Sequence, residues 1–242
     1  MKFLARNLAA LTLCALIGSG PVGCTSKKPA LYGREAPTYL PGMVRQVWAV
    51  APAVDLSGQP QVDPILQADL LYLQLQQVQG LTVIPVNRVI EVFATLRLDR
   101  IQSEAQAALV CDLLDADAIL IPTVTAYDPY NPPKLGASLQ LFRKPGAYSR
   151  PTNIDPYELS RAATPGPADG ITPISGAVQA VGIYDAANGS VREKLESYAA
   201  GRNEPGGPMG PREYMMSMDR YVGFVYHDLI RELLSSPRMV GP

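Results

Sequence analysis

The amino-acid sequence predicts an α/β (α+β) fold: a single mixed β-sheet of about six strands with helices packed on it. Three observations predict it. Helix signals separate the early strand-like runs, as crossovers between parallel strands require. Ala118 to Tyr127 (AILIPTVTAY) opens with an unbroken apolar run that suits a central strand buried on both faces. The runs after it follow one another without helices between them, as antiparallel neighbours do.

Taken in order, the first 23 residues read as an export signal. Lys2 and Arg6 supply positive charge, Leu8 to Ile17 is apolar, and small residues precede Cys24. The apolar run meets Gly18, Gly20 and Pro21 after about ten residues, whereas a spanning helix needs roughly 20. Pro21-Val22-Gly23-Cys24 resembles a lipobox, with Pro21 standing where Leu or Val is usual. An ordinary secretory signal with an incidental cysteine is the plainer alternative. The polar run Thr25-Ser26-Lys27-Lys28-Pro29, which looks like the tether after a lipidated cysteine, favours lipidation at Cys24. Acyl chains gain roughly 0.8 kcal/mol per buried methylene, so several of them make the membrane a durable partner. Thr rather than Asp after Cys24 resembles outer-membrane sorting, which predicts an envelope location, lipid-anchored and facing the periplasm.

Removing residues 1–23 leaves 219 of the 242 residues and takes the formal charge from −1 to −3, because Lys2 and Arg6 leave with it. No basic patch points to a nucleic-acid partner. Cys14 leaves with the signal and Cys24 carries lipid, so Cys111 is the one thiol left for the folded part, and no intramolecular disulfide is expected.

Residues 24–42 carry Pro29, Gly33, Pro37, Pro41 and Gly42 and read as a flexible tether, so a single α/β domain is expected over 43–236. Val44 to Val54 is the first strand, rich in β-branched residues. Asp63 as N-cap, Pro64 in the first turn and Gly80 beyond the end frame a helix. Its expected apolar stripe is Ile65, Leu66, Leu70, Leu73 and Val78, with Asp69 at the edge. Leu81 to Val86 is the second strand. Asn87 is expected to cap a helix to Leu96 with Val89, Val92, Phe93 and Leu96 on one face. Ser103 and Gln106 form a capping box for a helix to Leu114. Ala118 to Tyr127 and Leu135 to Phe142 are neighbouring strands across a turn at 128–133. An inserted loop at 143–173 carries six prolines. Ser175 to Tyr184 is a strand, Asn188-Gly189 a hairpin turn and Ser190 to Ala200 the return strand. The last helix is expected over Glu213 to Leu234, with Met218, Tyr221, Val222, Val225, Leu229, Ile230 and Leu233 facing the core, and 237–242 is expected to be a disordered tail.

With the lipobox in front, VWAVAPAVDLSG (Val47 to Gly58), LTVIPVNRVIEVF (Leu81 to Phe93) and LLDADAILIPTVTAYDP (Leu113 to Pro129) resemble pieces of the CsgG-like and TolB N-terminal-type envelope lipoproteins. The resemblance implies a non-catalytic lipoprotein that scaffolds an envelope or secretion complex, with other envelope proteins as partners and homo-oligomers open to it. The best-known relatives build a curli-type secretion channel from long membrane hairpins. Residues 143–173 lack the alternating apolar pattern such strands need, so the resemblance carries the periplasmic core and not the pore.

No cofactor, metal or catalytic residue is expected. His227 is the one histidine, and one His with one free Cys falls short of the three or four ligands of ordinary zinc sites. It is expected on the solvated side of the last helix. Asp112, Asp115 and Asp117 read as helix-end acids, since the calcium-loop spacing is absent. Cys111, among Ala107, Val110 and Leu114, is expected to be a buried, inert thiol. A carboxylate-based hydrolase is the enzymatic alternative and requires two acids converging in a cleft. For partner binding, Tyr127, Tyr130 and Pro132 stand out, as two aromatics on a proline-stiffened hairpin tip dock at low entropy cost. The plainer reading is a turn whose Tyr side chains pack locally.

Overall fold

The computed structural model describes residues 37–41, 45–144, 177–200, 202 and 209–239. The export signal, Cys24 and residues 145–173 of the inserted loop lie outside the described residues. The elements in chain order are β1 (Gln46–Val50), β2 (Val54–Asp55), α1 (Pro64–Leu75), β3 (Leu81–Val83), α2 (Val86–Leu96), α3 (Glu104–Leu114), β4 (Ala118–Asp128), β5 (Lys134–Arg143), β6 (Val178–Asp185), α4 (Gly189–Ala200), α5 (Arg212–Met216) and α6 (Met218–Ser235). The strands make one mixed sheet in the order β3-β1-β4-β5-β6, with β2 pairing on β4 beyond β1. The crossover strands β1, β2 and β3 pair in parallel, while β4, β5 and β6 are antiparallel.

Side chains two apart on a strand share a face, and that period sorts the sheet into two cores. Trp48, Val50, Leu120, Val124, Leu135, Leu139 and Leu141 face one side, where Leu71 and Leu75 of α1, Leu195 of α4 and Phe224 and Leu229 of α6 cover them. Ala49, Ala51, Ile119, Ile121 and Phe142 face the other, against Val89 and Phe93 of α2 and Val110 and Cys111 of α3. β4 is therefore buried on both faces through its first half, as its unbroken apolar run predicts.

Caps explain where α1 and α3 begin. Asp63 Oδ1 accepts from the Ile65 and Leu66 N–H groups at 2.8 and 3.2 Å. Ser103 Oγ accepts from Gln106 N at 3.3 Å, while the Gln106 amide accepts from Gln102 N at 2.7 Å, one residue before the reciprocal partner of a capping box.

Several expectations are corrected. The first strand stops at Val50: Ala51 N still donates to Leu120 O, but Pro52 has no N–H and Ala53 N turns to Pro64 O before β2 resumes on β4. Asn87 does not cap α2, which begins one residue earlier behind Pro85, whose ring holds φ at −57°. The stretch read as a hairpin and return strand is the helix α4. Asn188 Oδ1 accepts from Ser190 N at 3.0 Å at its start, and Val191, Leu195, Tyr198 and Ala199 recur at helical spacing on its buried face. The last helix is broken at Ser217, whose extended backbone separates α5 from α6.

Both ends of the fold reach further than expected. Tyr39 pairs with Gln79 in a parallel bridge and Leu40 is buried, so residues 37–41 pack on the fold rather than belonging to a tether. Pro237–Met239 form a short 3-10 turn with Met239 buried, which corrects the disordered tail for those three residues.

Candidate functional site

The expected docking tip is the β4–β5 hairpin. Its strands pair as far as Asp128 opposite Lys134. Asp128 Oδ1 accepts from Tyr130 N at 3.1 Å, the Asn131–Pro132 peptide is cis, and buried Pro133 accepts from Ala186 N at 3.0 Å. The two aromatics of the tip differ in burial. Tyr127 is half-buried and packs against the main core, and burial, followed by the charge of Asp219, pushes its hydroxyl above the usual tyrosine range. Tyr130 is 76% exposed and Pro132 is exposed. The structure thus offers one projecting aromatic rather than a two-ring platform.

A larger apolar surface lies on α1. Of the stripe expected to face the core, Val78 is buried and Leu70 is half-buried against the core, but Ile65, Leu66 and Leu73 point away from it, 46%, 40% and 51% exposed, with Asp69 exposed among them. Gln67, Ala68, Leu71 and Leu75 face the sheet instead. Gln67 earns its buried place by accepting from the Tyr226 hydroxyl of α6 at 2.8 Å. Apolar residues surround this helix on two sides, so periodicity alone supports either face. The polar Gln67 obscured the true one.

The remaining candidates have structural partners. Asp117 Oδ2 accepts from Val47 N at 2.8 Å while its own N–H donates to Val47 O at 2.7 Å, extending the β1–β4 pairing by a side chain. Asp115 ends α3 in the left-handed region at φ 51°, and Asp112 is paired with Lys144. Among the described residues no group of three or more His, Cys, Asp or Glu side chains is placed to hold a metal ion. Burial, helped by the charge of Asp112, pushes the Cys111 thiol up to about 12.

His227 does not sit on a solvated face as expected. Its ring lies 5.0 Å from that of Tyr198, and its Nδ1 is 3.5 Å from the Arg202 guanidinium, which itself stacks 3.8 Å over Tyr198. Beside this cluster, Asp228 of α6 accepts from the Tyr184 hydroxyl at 2.9 Å and pairs with Lys194 at 2.7 Å. Burial and then Asp228 hold the Tyr184 hydroxyl protonated, so it acts as a donor. These contacts bind α4 and β6 to α6.

No family model matches the chain, and no curated protein matches it. Among solved structures it is similar to lipoprotein GNA1162 from Neisseria meningitidis, at 18% identity over 40% of this chain and 69% of that one, with a TM-score of 0.32. It is also similar to the C-terminal domain of LpoB from Escherichia coli, at 15% identity over 43% of this chain and 76% of that one, with a TM-score of 0.34. The PelC dodecamer from Paraburkholderia phytofirmans matches at 14% identity over 46% of this chain and 68% of that one, with a TM-score of 0.28.

Proposed function

We propose that the chain is a lipid-anchored, non-catalytic envelope protein of CsgG/TolB-N-like type. Cys24 holds it to the outer membrane facing the periplasm, where it scaffolds an envelope or secretion complex by binding other envelope proteins and further copies of itself. The observation that supports this reading is the apolar outer face of α1. Three large aliphatic side chains on one short helix stand 40–51% exposed beside a face that is already buried. Exposed aliphatic side chains clustered on one face, here around Asp69, are a mark of protein-binding sites. The projecting Tyr130 of the β4–β5 tip adds a second contact point.

The test is photo-crosslinking from Leu73 in native membranes. The reading expects capture of a defined envelope protein, lost in Leu66→Arg and weakened in Cys24→Ala, which no longer holds the chain at the membrane. Equal capture by Leu66→Arg and the parent chain overturns it.

A further inference from the structure

Among the described residues, β6 is an edge strand without the usual protection. It pairs with β5 on one side, and among the described residues nothing pairs with its other side. Edge strands are normally blunted by Lys, Pro or a bulge. β6 reads VQAVGIYD, and its register to β5 runs through eight consecutive pairs without a shift. Ala186 N donates to Pro133 O, continuing that register, and in antiparallel pairing alternate residues turn both backbone groups the same way. Ala180, Gly182 and Tyr184 therefore turn theirs to β5, and Gln179, Val181 and Ile183 turn theirs outward.

The same outward residues carry the exposed side chains. Val181 and Ile183 are 57% and 69% exposed, on the sheet face opposite α6. Their partners across the ladder are Ser138 and Gly136, too small to cover them. Bare backbone donors and acceptors beside two β-branched side chains fit one kind of occupant, another β-strand.

We propose that this strand pairs antiparallel with β6 of a second copy, about a two-fold axis through Gly182. The strand is self-complementary in that register. Val181 of each copy lies opposite Ile183 of the other, each pair exchanging both backbone bonds, and Gln179 lies opposite Asp185. The two Asp185 side chains lie at opposite ends of the pairing, each opposite Gln179 of the other copy and beside Lys134 of its own chain at 3.6 Å, so the acids do not meet across the axis. Centring on Val181 instead sets Val181 against itself and Gln179 against Ile183, leaving one apolar pair in place of two. The result is one continuous sheet through both copies, with the aliphatic side chains covering each other.

This deepens the self-association in the proposed function and is independent of the anchor. Full-length chain is extracted from membranes in detergent, and cysteines are placed at the paired positions. The double variant Val181→Cys/Ile183→Cys is expected to form a covalent dimer on mild oxidation, with little from either single variant. Light scattering is expected to give a dimer for the parent chain and a monomer for Ile183→Lys, with association weakened about tenfold or more, since a charge on an edge strand opposes pairing. Unchanged circular dichroism would show that Ile183→Lys still folds. A monomeric parent chain, a dimer untouched by Ile183→Lys, or Val181→Cys crosslinking as well alone as in the double variant each overturns the proposal. The crosslink is expected in a Cys24→Ala background too, so a Cys24→Ala chain still bound to membranes overturns the anchor alone.

Discussion

Replacing Gln67 by Leu tests how α1 is oriented. The Tyr226 hydroxyl donates to the Gln67 amide oxygen at 2.8 Å, and the two side chains are 0% and 2% exposed. Burial pushes the Tyr226 hydroxyl well above the usual tyrosine range, so it is a protonated donor at every working pH. Gln67→Leu keeps the volume but strands that hydroxyl in the core, at a cost of about 1–3 kcal/mol. Tyr226→Phe strands the amide and costs a similar amount. Removing both partners leaves apolar groups of matching shape, which is nearly neutral. The double variant is therefore expected to be more stable than the sum of the singles by about 2–6 kcal/mol, the two single costs together. Urea unfolding followed by circular dichroism and by Trp48, the single tryptophan, measures it. Additivity within about 0.5 kcal/mol, the behaviour of independent sites, would refute the buried pairing and with it the outward placement of Ile65 and Leu73.

Gly182→Ala should destabilise by about 1–3 kcal/mol, the usual cost of overpacking, because a Cβ there meets the Tyr184 ring at 2.5 Å; thermal melting reads it. Ser103→Ala should lose about 0.5–2 kcal/mol of stability with the α3 cap, seen as a lowered urea midpoint. Cys111 should resist thiol reagents at pH 8 while the chain is folded and react once it is unfolded. A thiol at about 12 instead of its ordinary 9.0 binds its proton more tightly in the folded state. Stability is therefore insensitive to Cys111 below pH 9 and falls as the pH rises from 9 towards 12, since the unfolded thiol ionises first. A rise in stability over that interval contradicts the buried placement.

Much of the fold was legible because local chemistry and burial agree. Asp63, Pro64 and Ser103 state where helices start, and the Ala118 run states which strand is central. Legibility failed where two local signals compete. Asn188-Gly189 is a strong turn signal, but Asn188 is also a good helix cap, and the spacing Val191, Leu195, Tyr198 already carried the helix. On α1 two apolar faces compete, and a tertiary hydrogen bond from Tyr226 to Gln67 decides between them. No residue pattern in α1 itself contains that bond. The tip at 127–133 was legible as a turn, but not the burial of Tyr127, which depends on α6 arriving from nearly a hundred residues away in sequence.

The central claim is that Cys24 is the acylated first residue of the mature protein, and the intact mass of the N-terminal peptide from membrane-extracted protein tests it most directly. The account predicts a peptide that begins at Cys24 and carries thioether-linked diacylglycerol. A peptide that keeps residues 1–23, or one cleaved at or near Cys24 with no added lipid, would contradict it.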